Sequence, residues 1–350
     1  MARDSGWGEV MSYADIAAEA RGSMGPWCKA CPDCDGRACG AHVPGPGAKG
    51  SGTVAVRNRV AWEGHRLLMD TIYEGGQPST ETSLFGRTLT LPVMIAPVGD
   101  VQRHYGDKLT DVEYNTCVLE AAAQAGTVAW TGDGIRPQIV EKATEIIGSL
   151  GGAGIITIKP WPMGMLHEKV ALSLSSHPRA IAMDIDGAGL PFLRDFEPPA
   201  GPKSVAELKE VAAQCHEARV PFVLKGILSS RGAEKALEAG ADAIVVSNHG
   251  GRVLDGVPAT AEVLPAVVDA VGGACDVLVD GGIRTGIDVF RALALGASAT
   301  LVCRPFVVCV YGAGAAGVMA YLTQLRDELE DAMRMCGALG VAEVCRDMVL

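Results

Sequence analysis

The sequence predicts an α/β fold, a (β/α)8 barrel with a Cys-rich N-terminal extension, on three observations. From residue 91 onward, eight short β-branched runs alternate with Ala-, Leu- and Glu-rich stretches of helical period, the pattern of repeated βα units with buried parallel strands. Glycine and charged residues collect where those runs end. The 350 residues are too many for a small domain and suit one barrel of roughly 250 residues with an extension.

Taken in order, residues 1–53 make up the extension: an N-terminal helix, a cysteine-rich segment, and the stretch Pro44 to Gly52 (PGPGAKGSG), which reads as a linker. Residues 54–350 form the barrel domain. Thr82 to Thr90, with Phe85-Gly86-Arg87 at its centre, reads as a hairpin plugging the barrel bottom. The eight strands are Leu91 to Pro97, Gly126 to Trp130, Gly154 to Ile158, Ala180 to Asp186, Pro221 to Gly226, Ala243 to Ser247, Asp276 to Asp280 and Ala299 to Cys303. Helices lie between them, among them Val112 to Ala125, Val205 to Ala218, Gly232 to Ala239, Ala261 to Val271 and Gly286 to Ala294, several stopped by glycine. Eight such units favour a closed barrel, whereas five or six would favour an open doubly wound sheet. Between the fourth and fifth strands, the Gly- and Pro-rich segment Gly187 to Lys203 is either an active-site lid or a surface loop.

Composition narrows the function classes. Apolar residues make up 48% and charged ones 20%, which allows a sizeable core and argues against disorder. The formal charge of -11 repels phosphate backbones and anionic lipid surfaces, so nucleic-acid and membrane-surface binding are disfavoured and small-molecule chemistry fits better. Met1 to Met11 lacks the basic start and apolar run of a secretory signal, which leads us to expect a cytoplasmic protein. The least polar stretch, Phe306 to Tyr321, is shorter than the roughly 20 residues a membrane span needs. Eleven cysteines in a chain of this kind argue against a disulfide framework.

In a barrel all strand C-termini open onto one face, so residues distant in sequence converge there. The fifth strand ends in Lys225-Gly226, the sixth in Ser247-Asn248-His249-Gly250-Gly251-Arg252, the seventh in Asp280-Gly281-Gly282-Ile283-Arg284 and the eighth in Cys303-Arg304-Pro305. The last two supply glycine N–H groups and two guanidinium groups, and the helix from Gly286 points its positive end at the same place, which makes a phosphate cradle. Lys225 follows Val223-Leu224 and points inward at the mouth, where it can stabilise an anion. His249 has the side chain for a general base near neutral pH, Arg252 offers a planar fork matched to a carboxylate, and Asp186 can hold the imidazole and stabilise its cation.

From about Val54 to Gly337 the chain resembles the FMN-dependent 2-hydroxy-acid oxidising enzymes, which include glycolate and lactate oxidases and mandelate dehydrogenase. The resemblance is carried by Leu224-Lys225-Gly226-Ile227, by Glu238 to Thr260 (EAGADAIVVSNHGGRVLDGVPAT) and by Leu278 to Pro305. It implies FMN as cofactor and oxidation of an L-2-hydroxy acid, lactate-like, to the 2-oxo acid. His249 would then remove the proton, Arg252 pair with the carboxylate, and Lys225 sit by the flavin N1 and O2 edge. Ala96, Pro97 and Val98 would lie against the flavin ring, with Thr131 and Ser247 also in the cofactor site. Asp280, Gly282, Arg284, Cys303 and Arg304 would hold ribityl and phosphate groups. A homo-oligomer, specifically a tetramer, is implied by the same resemblance.

The chain departs from that family's pattern on the substrate side. Gly25-Pro26-Trp27 stands where an N-terminal tyrosine is usual, and Thr157-Ile158-Lys159-Pro160 where a Gln-x-Tyr pair is usual. Asp184-Ile185-Asp186 replaces Thr-x-Asp, Val253 a glutamine and Cys303 a glycine, and Gly189 falls where a second carboxylate-binding arginine is expected. Arg194 can substitute only if the loop is rearranged. Cys28, Cys31, Cys34 and Cys39, spaced C-x2-C-x2-C-x4-C, suit a zinc site or an iron–sulfur cluster, or else a packed or redox-active thiol group. A cluster would favour a protein electron acceptor. Two rival functions stay open: a non-redox FMN barrel resembling type 2 isopentenyl-diphosphate isomerases, and a flavin-binding protein without hydroxy-acid activity.

Overall fold

The computed structural model describes residues 11–350. Helix α1 (Tyr13–Ala20) is opened by Ser12, whose hydroxyl accepts from the Asp15 N–H while the Asp15 carboxylate accepts from Ser12. Irregular chain leads through the cysteines to α2 (Thr53–Glu63), and β1 (Thr82–Leu84) pairs antiparallel with β2 (Arg87–Leu89) as the expected hairpin.

The barrel follows as β3 (Val93–Ile95), β4 (Trp130–Thr131), β5 (Ile155–Ile158), β6 (Ala180–Asp184), β7 (Phe222–Ile227), β8 (Ala243–Val246), β9 (Asp276–Val279) and β10 (Ala299–Val302). Between them run α3 (Val101–Tyr105), α4 (Asp111–Ala125), α5 (Gln138–Ser149), α6 (Met163–Leu174), α7 (Pro191–Arg194), α8 (Val205–Glu217), α9 (Ser230–Glu238), α10 (Thr260–Val271) and α11 (Gly286–Ala294), with α12 (Arg304–Cys336) last. The strands pair in parallel in the order β3-β10-β9-β8-β7-β6-β5-β4, and a parallel bridge between Ile95 and Ala129 brings the two ends of the sheet together. The eight expected strands are thus all present, six lying inside their expected runs and two, β4 and β7, ending one residue beyond them.

Alternation fills the barrel. Met94, Trp130, Ile155, Ala180, Ala182, Val223, Ala243, Val245, Leu278, Ala299 and Leu301 form an interior cluster with Leu84 and Leu89 of the hairpin, which therefore closes the bottom as expected. Residues of opposite parity, such as Ile156, Ile181, Leu224 and Ile244, pack under the helices.

Two expectations are corrected. The apolar stretch Phe306–Tyr321 is not a short segment but part of a 33-residue helix, long and apolar enough by composition to cross a membrane. Its apolarity is accounted for by packing: the helix breaks at Ala313 and Gly314, and the buried Phe306, Val307, Tyr311, Val318, Tyr321 and Leu325 lie against the barrel helices. The stretch Pro44 to Gly52 does not behave as a linker either. Gly45 to Ala48 are buried, Ala48 N–H donates to Gly40 O, and Lys49 N–H donates to Gly251 O. A side chain at Gly47 would lie 2.4 Å from Gly40 O and 2.7 Å from Cys39 O, so glycine here serves close approach rather than freedom.

Candidate active site

A cavity opens at the C-terminal ends of the strands. Strand parity decides what faces it. Val223 points into the barrel, so Lys225 does too, one step higher; Val245 likewise sets Ser247 inward, and Ala180 and Ala182 set Asp184 inward.

After β8 the chain turns sharply through His249, whose φ of 55° is left-handed, and through Gly250 and Gly251 at 66° and 82°. A non-glycine residue held in that region stores strain of about 1–3 kcal/mol and marks a constrained site. The turn is braced from below. Asn58 and Asn248 exchange amide hydrogen bonds of 2.7 and 2.8 Å, and a Cβ at Gly251 would meet Val54 and Ala48 at 2.8 and 2.9 Å.

His249 Nδ1 lies 3.0 Å from Asp186 Oδ1 and 3.9 Å from Asp184 Oδ2. Burial, then the charges of Lys159 and Lys225, hold the imidazole well below its ordinary pKa, with Asp184 opposing; burial pushes the Asp186 carboxyl up. The neutral ring donates through Nδ1–H to Asp186, which leaves Nε2 free to accept a proton. Lys225 Nζ donates to Ser247 Oγ at 2.9 Å and contacts Asp280 Oδ2 at 3.1 Å. Burial disfavours its charge, but Asp280, Asp186 and Asp184 outweigh that and keep it protonated.

Arg252 is half-buried, its buried Nε has no hydrogen-bond partner among the described residues, and its Nη2 lies 3.3 Å from both ring nitrogens of His104. That imidazole is held neutral by burial and by Arg252, and its Nδ1 accepts from Gly45 N–H at 3.0 Å. At the cradle, Thr285 caps α11, Arg284 Nε donates to Cys34 O at 2.7 Å, and Arg304 reaches Pro46 O.

Of the expected residues, Ala96, Pro97, Val98, Lys225, His249, Arg252, Asp280, Gly282, Arg284, Cys303 and Arg304 share the cavity wall. Asp186 stands behind His249. Ser247 sits one layer back, accepting from both Lys225 and the His249 N–H, and Thr131 is fully buried with its hydroxyl unpartnered among the described residues. Arg194 is not brought to the cavity: its side chain is 60% exposed and pairs with Asp195. The 187–203 segment does cover the site, since Leu190 and Phe192 line it.

The four thiols of Cys28, Cys31, Cys34 and Cys39 share one loop, but among the described residues no three of them lie within 4.8 Å of one another. Cys34 turns to Arg284 and Cys39 to Gly36 O. Burial pushes the Cys28 thiol up to about 12 and those of Cys31 and Cys39 upward as well. Three other candidate ligands do gather, Asp184, Asp186 and His249, with Asp184 Oδ2 on Lys159 and Asp186 Oδ1 on His249, while Asp184 Oδ1 and Asp186 Oδ2 have no partner among the described residues.

Sequence reasoning missed His104, Tyr105, Pro46, Phe192, Asp133, Lys159 and Asp184 as wall residues. For the last two a signal existed: Ile155 faces inward, so Thr157 and Lys159 do, and the β5–β6 register that pairs Ile158 with Met183 carries Lys159 to Asp184. Their Nζ and Oδ2 are 2.5 Å apart.

Comparison with known proteins follows the same lines. A family model described as FMN-dependent dehydrogenase matches residues 45–148 and 195–350. The chain is 35% identical over 328 residues to a 4-hydroxymandelate oxidase of Amycolatopsis orientalis, covering 85% of this chain and 91% of that one. It is 32% identical over 341 residues to an L-lactate oxidase of Roseobacter sp. (strain GAI101), covering 87% and 88%. A solved mandelate oxidase, in complex with (S)-2-phenylpropionate, superposes with a TM-score of 0.77 at 30% identity over 97% of both chains.

Proposed function

Because the chain belongs to the family of FMN-dependent dehydrogenases, and is an oxidoreductase of the kind that includes 2-hydroxy-acid oxidases and dehydrogenases, we propose that it oxidises an L-2-hydroxy acid to the 2-oxo acid. The observation that carries the reading is the His249–Asp186 pair standing in one cavity wall with Arg252 and the cradle of Arg284 and Arg304.

The residues fit FMN. Asp280 Oδ1, in the cavity wall, is a buried acceptor without a partner among the described residues, a cost that a ribityl hydroxyl would relieve, whereas Thr131, beside the inward-facing Trp130, lies outside that wall. Lys225 would bring positive charge to a bound flavin, and Arg304, Arg284 and the glycine turn at Gly281-Gly282 would suit its phosphate. Bound FMN supplies the acceptor for two electrons.

The chain's own residues do the rest. Arg252, with an unpartnered buried Nε among the described residues, holds the carboxylate. His249 Nε2 takes the proton released as C2 is oxidised, and Asp186 stabilises the imidazolium so formed. Leu190 and Phe192 roof the cavity and exclude water.

Anaerobic mixing with a panel that includes lactate, mandelate and hydroxylated acids, followed by the visible absorbance of the flavin, tests the reading. Bleaching by at least one acid, with formation of the 2-oxo acid, is the expected result. Isomerase turnover of an allylic diphosphate with no bleaching by any acid overturns it.

A further inference from the structure

We propose that Lys159 and Asp184 form a subsite for a hydroxyl group on the substrate carbon next to C2, so that the preferred substrates are 2,3-dihydroxy acids rather than acids with a plain alkyl or aryl side chain. The inference rests on the reading of the site as a 2-hydroxy-acid oxidising centre.

Both residues line the cavity that also holds His249 and Arg252. Both are nearly sealed from bulk water, Lys159 at 8% exposure and Asp184 at 2%. Their bonding is incomplete. The Lys159 ammonium has three donors, and among the described residues its one side-chain acceptor is Asp184 Oδ2. Asp184 Oδ1 has no hydrogen-bond partner among those residues. Gly187 packs against the pair from behind, where a Cβ would lie 3.2 Å from Lys159 Cδ and 3.7 Å from Asp184 Oδ1, so the free positions of both heads are left to the cavity side.

Charge decides what completes the pair. Lys159 and Asp184 neutralise each other, so a second carboxylate would face Asp184 and an ammonium would face Lys159, each with a like charge in a desolvated place. An alkyl or aryl group would leave both polar heads buried and unmatched. A hydroxyl both donates and accepts, and so matches the spare carboxylate oxygen and the spare ammonium hydrogens together. Arg252, which has no acidic partner among the described residues, remains for the one carboxylate that every 2-hydroxy acid carries. The matched family regions break off between residues 148 and 195, the segment that carries both members of the pair, while the cradle lies inside the matched region.

The test compares 2,3-dihydroxypropanoate with lactate in the FMN-loaded enzyme, since the two differ by this hydroxyl alone. Rates of flavin bleaching give kcat/KM, and the affinities of the products, hydroxypyruvate and pyruvate, are read separately from their perturbation of the flavin spectrum. Sites built to bond a substrate hydroxyl reject the analogue lacking it strongly, so a preference of about 100-fold or more for the dihydroxy acid is expected. In the double variant Lys159→Met/Asp184→Leu, which removes both charges together and so leaves no lone buried ion, the preference falls to near one for both readouts. Comparable use of lactate by the native enzyme, or a preference that survives in the double variant, overturns the subsite and leaves the oxidation reading standing. Bleaching by neither these acids nor mandelate overturns both.

Discussion

Replacing Asp186 by asparagine isolates the contribution of the carboxylate to proton removal. Asp186 Oδ1 stands 3.0 Å from His249 Nδ1 with the two side chains only 11% and 13% exposed, so at an effective dielectric of about 20 the charge stabilises an imidazolium by about 5.5 kcal/mol. At about 1.4 kcal/mol per decade that corresponds to nearly four decades in rate. Asp184 Oδ2, at 3.9 Å from the same nitrogen, recovers part of the loss, but it is already engaged by Lys159 at 2.5 Å. The expected outcome is therefore a fall of about 10³-fold in the anaerobic bleaching rate at saturating acid. The amide keeps a hydrogen bond to the ring but can leave it in the wrong tautomer, so binding of the 2-oxo product should change little. Stopped-flow absorbance measures the rate, and an unchanged visible spectrum of the oxidised protein shows that FMN is still held. A fall of less than tenfold in a variant that retains FMN would refute the assignment of Asp186 and, with it, of His249 as the base it supports.

Because burial, Lys159 and Lys225 hold the His249 pKa well below 6.5, and the base must be neutral to act, kcat/KM should stay flat as pH falls through 6.5 and decline only below it. Lys159 and His249 contact the same Asp184 oxygen at 2.5 and 3.9 Å, which bounds their separation near 6 Å, so Lys159→Met should move that acid limb upward by as much as about two pH units; a pH profile that does not move contradicts the coupling. Arg252→Met should lower kcat/KM for every 2-hydroxy acid by about 100-fold, the cost of a buried charge-assisted carboxylate bond, with the visible spectrum of bound FMN preserved. Gly286→Ala should cost about 3 kcal/mol, seen as a lower Tm, because its Cβ would lie 2.3 Å from Leu329 N and 2.4 Å from Leu325 O, where α11 meets α12 and no flexible side chain can yield.

The barrel was legible because its strands are buried on both faces and separated by glycine-stopped helices, so each run stood out without any tertiary information. The cradle was legible for a related reason: Lys225, His249, Arg252, Asp280 and Arg304 all sit within a few residues of a strand end, and strand ends converge by topology. Lys159 and Asp184 are equally readable by parity from Ile155 and Ala180, which set both inward at the strand ends. Asp133 was not readable. It accepts from Lys159 N–H at 3.1 Å, from Trp161 Nε1 at 2.6 Å and from Lys169 Nζ at 2.8 Å, partners 26 to 36 residues away that only the closed sheet brings together. The shortening of most strands has a physical cause too, since the last residues of the runs leave the ladder to form the turns that carry the site.

The extension was misread because Gly and Pro have two opposite uses. In a free chain they mark flexible or extended spacers; against a packed wall they allow backbone to come where no side chain would fit. The second use holds between Cys34 and Lys49. Cys34 O accepts from Arg284, Pro46 O from Arg304, and Gly45 N–H fixes the imidazole that Arg252 leans on. Lys49 Nζ ties the same strap to Gly189 O at 3.1 Å and Val253 O at 3.0 Å, on the turns after β6 and β8. A guanidinium has five donors and a phosphate or carboxylate uses two or three of them, so the remainder must be satisfied by the protein for the fork to face its ligand. Here the protein satisfies them largely with backbone groups and a neutral imidazole, which carry no charge to compete with the anion. The extension thereby orients three cations without neutralising them, which the cavity needs if it is to hold a phosphate at one end and a carboxylate at the other.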